Sequence, residues 1–174
     1  STAGTTLVGY EAGTAINHAD ADGTVAIGFR ALTSNTTGRY NVAVGYGALH
    51  YATELDYNTA IGHLALYNAT GTAGTGENTA VGYRAGYAIK TAVDNVLVGK
   101  EAGAALTTGG SHVIVGSGAG ASLSTATNNT AVGGRAMDAM TSGSSNVAVG
   151  QDALGYSTVD QSNTAIGYNA LAYM

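Results

Sequence analysis

The chain has 174 residues, 45% of them hydrophobic, with a single Phe, no Trp, 27 Gly, 10% charged residues and a formal charge of −5. Apolar side chains this small fill only a thin core, the charged fraction is well below the roughly 25% of an ordinary domain, and the acidic balance argues against nucleic acid or anionic lipid as a partner. The absence of cysteine excludes disulfides and thiolate zinc sites, and no secretory-type leader or run of about 18 apolar residues predicts an export address or membrane insertion.

Along the chain one phrase returns ten times, as LVG, AIG, AVG, AIG, AVG, LVG, IVG, AVG, AVG and AIG. It closes on Gly9, Gly28, Gly45, Gly62, Gly82, Gly99, Gly116, Gly133, Gly150 and Gly167. The spacing is 17 residues throughout, apart from 19 between the first two glycines and 20 between the fourth and fifth. A fixed period in this range is the signature of stacked supersecondary units. The expected fold is therefore all-β, a parallel β-roll or β-solenoid of ten coils. Residues 1–174 form one repeat domain, read as part of a longer fibre.

Each coil is expected to open on a short strand. The residue before the glycine is always Val or Ile, and the residue three before it is always Val or Thr, as in Val42 and Val44 or Thr59 and Ile61. Two β-branched positions two apart have the period of a strand with one buried face, so these columns are placed inside the coil. The residue between them, usually Ala, would then face outward. Three after the glycine every coil has Ala, from Ala12 to Ala170, which marks a close approach of backbones and is read as an outer column. A partly apolar position further on, as at Ile16, Ile89 and Leu106, suggests a second short strand, followed by turn-forming Thr, Ser, Gly and Asn. The extra residues of the irregular coils fall in 16–23 and 68–78. In the first of these, Asp20-Ala21-Asp22-Gly23 resembles the start of a calcium loop but lacks its remaining ligands, so a solvated turn is the reading taken.

Four before the glycine stands Asn41, Asn58, Asn78, Asn95, Asn129, Asn146 or Asn163, interrupted by Thr5, Thr24 and His112. Stacked at about 4.8 Å per rung, these amides can bond to one another as a structural ladder. Directly after the glycine come Tyr10, Phe29, Tyr46, His63 and Tyr83, and, in the last coil, Tyr168. This aromatic strip is the candidate glycan or surface contact, weighed against Tyr packing between subunits. Arg30, Arg84 and Arg135, with Glu11, Glu101 and Asp152 at the same position, read as a solvated face with interchain pairs of small value. The four histidines show no ligand spacing, and GSGAG at 116–120 has no phosphate-loop lysine. No catalytic residue, metal site or cofactor is expected, and the chain is read as not an enzyme.

The phrases NVAVGYGAL 41–49, NTAIGHLAL 58–66, NTAVGYRAG 78–86, NTAVGGRAM 129–137 and NTAIGYNAL 163–171 resemble the head repeats of YadA-like trimeric autotransporter adhesins. They are closer still to the NTAVGY and NTAIGY repeats of phage tail-fibre proteins. The resemblance covers all ten units. It implies a left-handed parallel β-roll with two short strands per coil, three chains around one axis and no enzymatic activity. The coils here are longer than those of the adhesin heads, which places the additional residues in the outer turn.

A thin coil gains about 1.5–3 kcal/mol per larger apolar side chain buried against about 1–2 kcal/mol of backbone entropy per residue, which independently favours association. The expected function is a fibre or adhesin segment on a virion or cell surface, homotrimeric, supporting host attachment with host-surface glycan as a candidate partner. The alternative is an extracellular structural filament whose subunits stack through uncapped ends, with its Thr-rich corner a candidate for O-glycosylation. Ice binding by that corner is a third, less regular fit.

Overall fold

The computed structural model describes residues 4–16, 22–72 and 75–173. The insertion at 16–23, with its calcium-like run, and the middle of 68–78 fall partly outside these described residues, as does His18. Ten three-residue strands, β1 (Thr6–Val8), β2 (Val25–Ile27), β3 (Val42–Val44), β4 (Thr59–Ile61), β5 (Thr79–Val81), β6 (Val96–Val98), β7 (Val113–Val115), β8 (Thr130–Val132), β9 (Val147–Val149) and β10 (Thr164–Ile166), form one sheet in sequence order. Every neighbouring pair is parallel. The register puts each repeat position on itself, with Val96 beside Val113, Leu97 beside Ile114 and Val98 beside Val115. This is a parallel β-solenoid, one strand per repeat.

The faces of these strands are the reverse of those expected. The middle residue points into the coil: Ala26, Ala43, Ala60, Ala80, Leu97, Ile114, Ala131 and Ala148 are fully buried. The β-branched flanks point out, leaving Val96 and Val113 about two-fifths exposed and Ile166 at 71%. The Ala column after the glycine is likewise core, Ala31 through Ala153 being fully buried. The reason is the Asn column. Its amides reach carbonyls across the coil, as Asn78 Nδ2 does to the Ala92 oxygen at 2.9 Å. A strand alternates faces with period two, so the residue two after each Asn must also point inward, and the interior there has room for Ala more often than for Val.

The expected second strand is absent among the described residues, and its place is taken by a run in which alternate residues are left-handed. Leu64 and Leu66 (φ 58° and 49°), Glu101 and Gly103 (57° and 57°), and Arg135 and Met137 (58° and 56°) are examples. Such a run is not an extended strand, yet it still bonds to its neighbours rung by rung. Leu64 N–H donates backward to the Tyr46 carbonyl at 2.9 Å, and Leu66 N–H donates forward to that of Ala85 at 3.0 Å. Backbone pairing is thus satisfied on both sides of the coil.

Packing inside most coils is by compensation of volumes, the exception being the rung where Met137 and Met140 are both fully buried. Where the fourth residue after the glycine is Leu32, Leu49, Leu66 or Leu154, the seventh is small: Asn35, Ala52, Ala69 or Ser157. Where the fourth is Gly86, Gly103 or Gly120, the seventh is Ile89, Leu106 or Leu123. A Cβ on Gly86 would lie 2.8 Å from both Leu66 and Leu97, so the space is already taken. Interiors packed this tightly tolerate few changes of volume.

Candidate functional site

The residue after each glycine lies two positions beyond the outward Val or Ile, so its side chain shares the sheet's outward face. Four of the five named aromatic contacts form one continuous stack with His63. Ring centroids are 5.4 Å apart for Tyr10 and Phe29, 5.0 Å for Phe29 and Tyr46, 5.0 Å for Tyr46 and His63, and 5.4 Å for His63 and Tyr83, all within 22° of parallel. Tyr168 stands apart at the far end, 72% exposed. Stacking has a chemical consequence. The inner rings cover each other's faces and offer solvent their edges, with the Tyr hydroxyls as the polar groups, so a sugar would meet hydrogen-bonding edges in preference to open π faces.

Other aromatic stacks went unread in the sequence. His50, Tyr67 and Tyr87 occupy one register position and stack at 5.1 and 5.5 Å, with Tyr51 edge-on to the first two. The Arg84 guanidinium lies 4.3 Å over the Tyr87 ring. Burial, together with a hydrogen bond shared with Tyr51, raises the Tyr67 phenol above its ordinary range. Tyr40 stacks on Tyr57 at 5.2 Å, and Tyr156 on Tyr173 at 4.6 Å. The signal was available: each of these sets repeats a register position, which in a parallel solenoid means contact.

The charged column pairs within the chain, between successive rungs. Arg30 bonds Glu11 through Nε, Arg84 lies 3.9 Å from Glu101, and Arg135 lies 3.4 Å from Asp152. The Arg30 guanidinium holds the Glu11 carboxyl below its usual range. The Arg30–Glu11 and Arg84–Glu101 pairs are partly exposed and contribute little to stability, whereas Asp152 in the third pair is buried.

The Asn ladder is continuous from Asn41 to Asn163. Asn58 gives both its backbone N–H and its side-chain amide to Asn41 Oδ1, at 2.9 and 3.1 Å. Asn78 repeats this on Asn58, Asn95 on Asn78, Asn146 on Asn129 and Asn163 on Asn146. His112 continues the ladder. Its N–H donates to Asn95 Oδ1, its Nδ1 accepts from the Asn129 N–H at 3.1 Å, and its Nε2 meets the Ala126 carbonyl at 2.9 Å. The Ala126 carbonyl stands 14 residues on, the same interval at which the Asn129 amide finds the Gly143 oxygen. The ring therefore copies an Asn, accepting on one side and donating on the other, which only its neutral form can do.

Burial lowers the His112 pKa from its ordinary value of 6.5. The unfolded chain then takes up a proton before the folded chain does. The neutral-ring contribution to stability is complete above about pH 6.5 and is lost as pH falls below it. His112→Asn is expected to remove this component, so melting temperatures of the two proteins should diverge between about pH 7 and 5. Parallel curves would show that the ring titrates alike in both states.

Among the described residues, no group of three or more His, Asp or Glu could hold a metal ion, and no helix is long and apolar enough to cross a membrane. No family model, curated protein or solved structure matches the chain. The fold itself defines the class: a single-sheet parallel β-solenoid repeat protein.

Proposed function

We propose that this chain is a non-enzymatic segment of a surface fibre, a homotrimeric and left-handed β-roll that projects from a virion or cell surface and supports attachment. The observation that carries the proposal is the outward sheet face. Val or Ile fills one of its columns in all ten rungs, and Val or Thr the other, and every one of these side chains is exposed or half-exposed among the described residues. An apolar strip of this length on a water-facing surface marks an association site, and parallel sheets are ordinarily covered on both faces. Three such faces turned toward one axis would bury each other along the whole rod. The resemblance of the repeats to adhesin heads and phage tail fibres supports the same reading. Attachment by such a rod is multivalent, weak contacts being repeated by three chains, and the edges of the Tyr stack are the candidate contact to host glycan.

Light scattering over a range of dilutions tests the assembly. The expected mass is near three times the 17.1 kDa chain, and Val98→Glu with Val115→Glu should reduce it to one chain without unfolding the coil. A single-chain mass for the parent protein would overturn the trimer. A mass growing without limit on concentration would instead support the end-to-end filament. Glycan arrays then test the attachment role.

A further inference from the structure

A parallel register turns repeated residues into neighbours, and for tyrosine it brings oxidisable phenols together. Among the described residues three pairs of tyrosines stack on successive rungs: Tyr156 on Tyr173 at 4.6 Å and 8°, Tyr40 on Tyr57 at 5.2 Å and 15°, and Tyr67 on Tyr87 at 5.5 Å and 0°. In the five-ring stack, by contrast, Phe29 and His63 separate each tyrosine from the next. The three pairs differ in freedom. Tyr67 and Tyr87 are half-buried, with His50 also stacked on Tyr67, Tyr51 edge-on to it and the Arg84 guanidinium over Tyr87. Tyr156 and Tyr173 are open, at 45% and 80% exposure.

Tyr156 and Tyr173 are also the closest of the three pairs, and their oxygens are brought together. Both stand six residues after their glycine, and Tyr156 N–H donates to the Ala172 carbonyl at 3.0 Å, which holds the two backbones one rung apart. From the rung below, Arg135 Nη2 donates to the Tyr156 phenol oxygen at 3.4 Å. Repulsion from the Tyr156 phenolate, desolvation and a hydrogen bond shared with Tyr156 hold the Tyr173 phenol above its ordinary range. The shared bond sets the two hydroxyls side by side, so the Cε ring carbons that flank them are neighbours too.

We propose that Tyr156 and Tyr173 form an oxidative modification site, at which a one-electron oxidant couples the two rings into dityrosine within one chain. Each phenol gives one electron to the oxidant and its proton to water. The unpaired electron of a phenoxyl radical is shared between the oxygen and the Cε carbons, so two such radicals held in contact join by a Cε–Cε bond. Each joined carbon then releases its hydrogen as a proton while one returns to each oxygen, restoring both phenols. In total the chain loses two electrons and two protons. The bond requires the rings to pivot from face-to-face to edge-to-edge, which exposed side chains can do and the enclosed Tyr67 cannot. The product ties two rungs together across 17 residues and restricts the unfolded chain as a disulfide would, in a protein without cysteine. It forms within one chain and does not depend on the fibre reading.

The test oxidises the whole chain with a light-activated ruthenium complex and persulfate, a one-electron oxidant that works equally in urea, and reads dityrosine fluorescence, intact mass and peptide maps. The expected product runs as a single chain on denaturing gels and is lighter by two hydrogens. Cleavage before Asp160 separates the two tyrosines, so the link appears as a joined pair of peptides. Tyr156→Phe and Tyr173→Phe keep both rings but remove one phenol, and each should lose the link. Tyr168→Phe, which alters the other exposed tyrosine of the same peptide, should retain it. Oxidation in urea, where the rungs are parted, should give much less of it. Links that join separate chains, fall mainly on Tyr40 and Tyr57, survive in either phenol-deleted variant or form as readily in urea overturn the assignment.

Discussion

Gly116→Ala is expected to destabilise the protein by about 3 kcal/mol or more. Gly116 has φ 140°, a backbone region that L side chains rarely adopt, and a Cβ built there would lie 2.4 Å from the carbonyl oxygen of Gly133 on the next rung. The opposing atom is backbone, and its residue is held by the ladder, since Gly133 N–H donates to the Val115 carbonyl at 2.8 Å. Neither atom can yield without parting two rungs. In a solenoid each repeat is held only by its neighbours, so damage at a central rung uncouples the two halves. Gly134→Ala is the control. It has nothing within 4 Å of the added Cβ and no positive φ, and should stay within about 0.5 kcal/mol of the parent. Denaturant unfolding of both variants checks this. Equal stability of the two would show that the rungs can separate at no cost.

Asn78→Ala should lower stability by about 3 kcal/mol. Asn78 is fully enclosed and bonds in three directions: to Asn58 Oδ1 below, to the Ala92 carbonyl across the coil at 2.9 Å, and from the backbone and side-chain amides of Asn95 above. Its removal leaves the Ala92 oxygen and the Asn95 amides without their partner inside the coil, and an unmade buried bond costs more than a made one gains. Asn163→Ala is the comparison. It lies at the last strand, half-buried, and among the described residues receives no bond from a further rung, so its loss should cost about 1 kcal/mol. If the two variants unfold together, the ladder is not the support its geometry suggests.

Much of the architecture was legible because the repeat aligns each column with itself. The glycine positions, the ten strands beside them and the stacking of Asn on Asn all follow from a period and a parallel register. The packing of Leu32 against Asn35 and of Gly86 with Ile89 was equally present in the sequence, as a reciprocal choice of large and small residues, though it has meaning only once both are known to share the interior. The same holds for His50, Tyr67 and Tyr87. Of the candidate site, the Tyr column was legible as a column, whereas the covering of one ring by the next depended on side-chain angles that composition does not reveal.

The amino-acid sequence by itself determined the period, the strand positions, the glycine and Asn columns and the thinness of the core, since each depends on residue type at a fixed interval. Tertiary structure alone decided which face of the strand looks inward. Alternation specifies that Val42 and Val44 oppose Ala43, but its sign is set by what lies across the coil. There the carbonyls that receive the Asn amides and the Leu column of the left-handed run leave little space beside the strand, and Ala takes it most often. The branched residues are consequently outside, on the exposed face of the sheet.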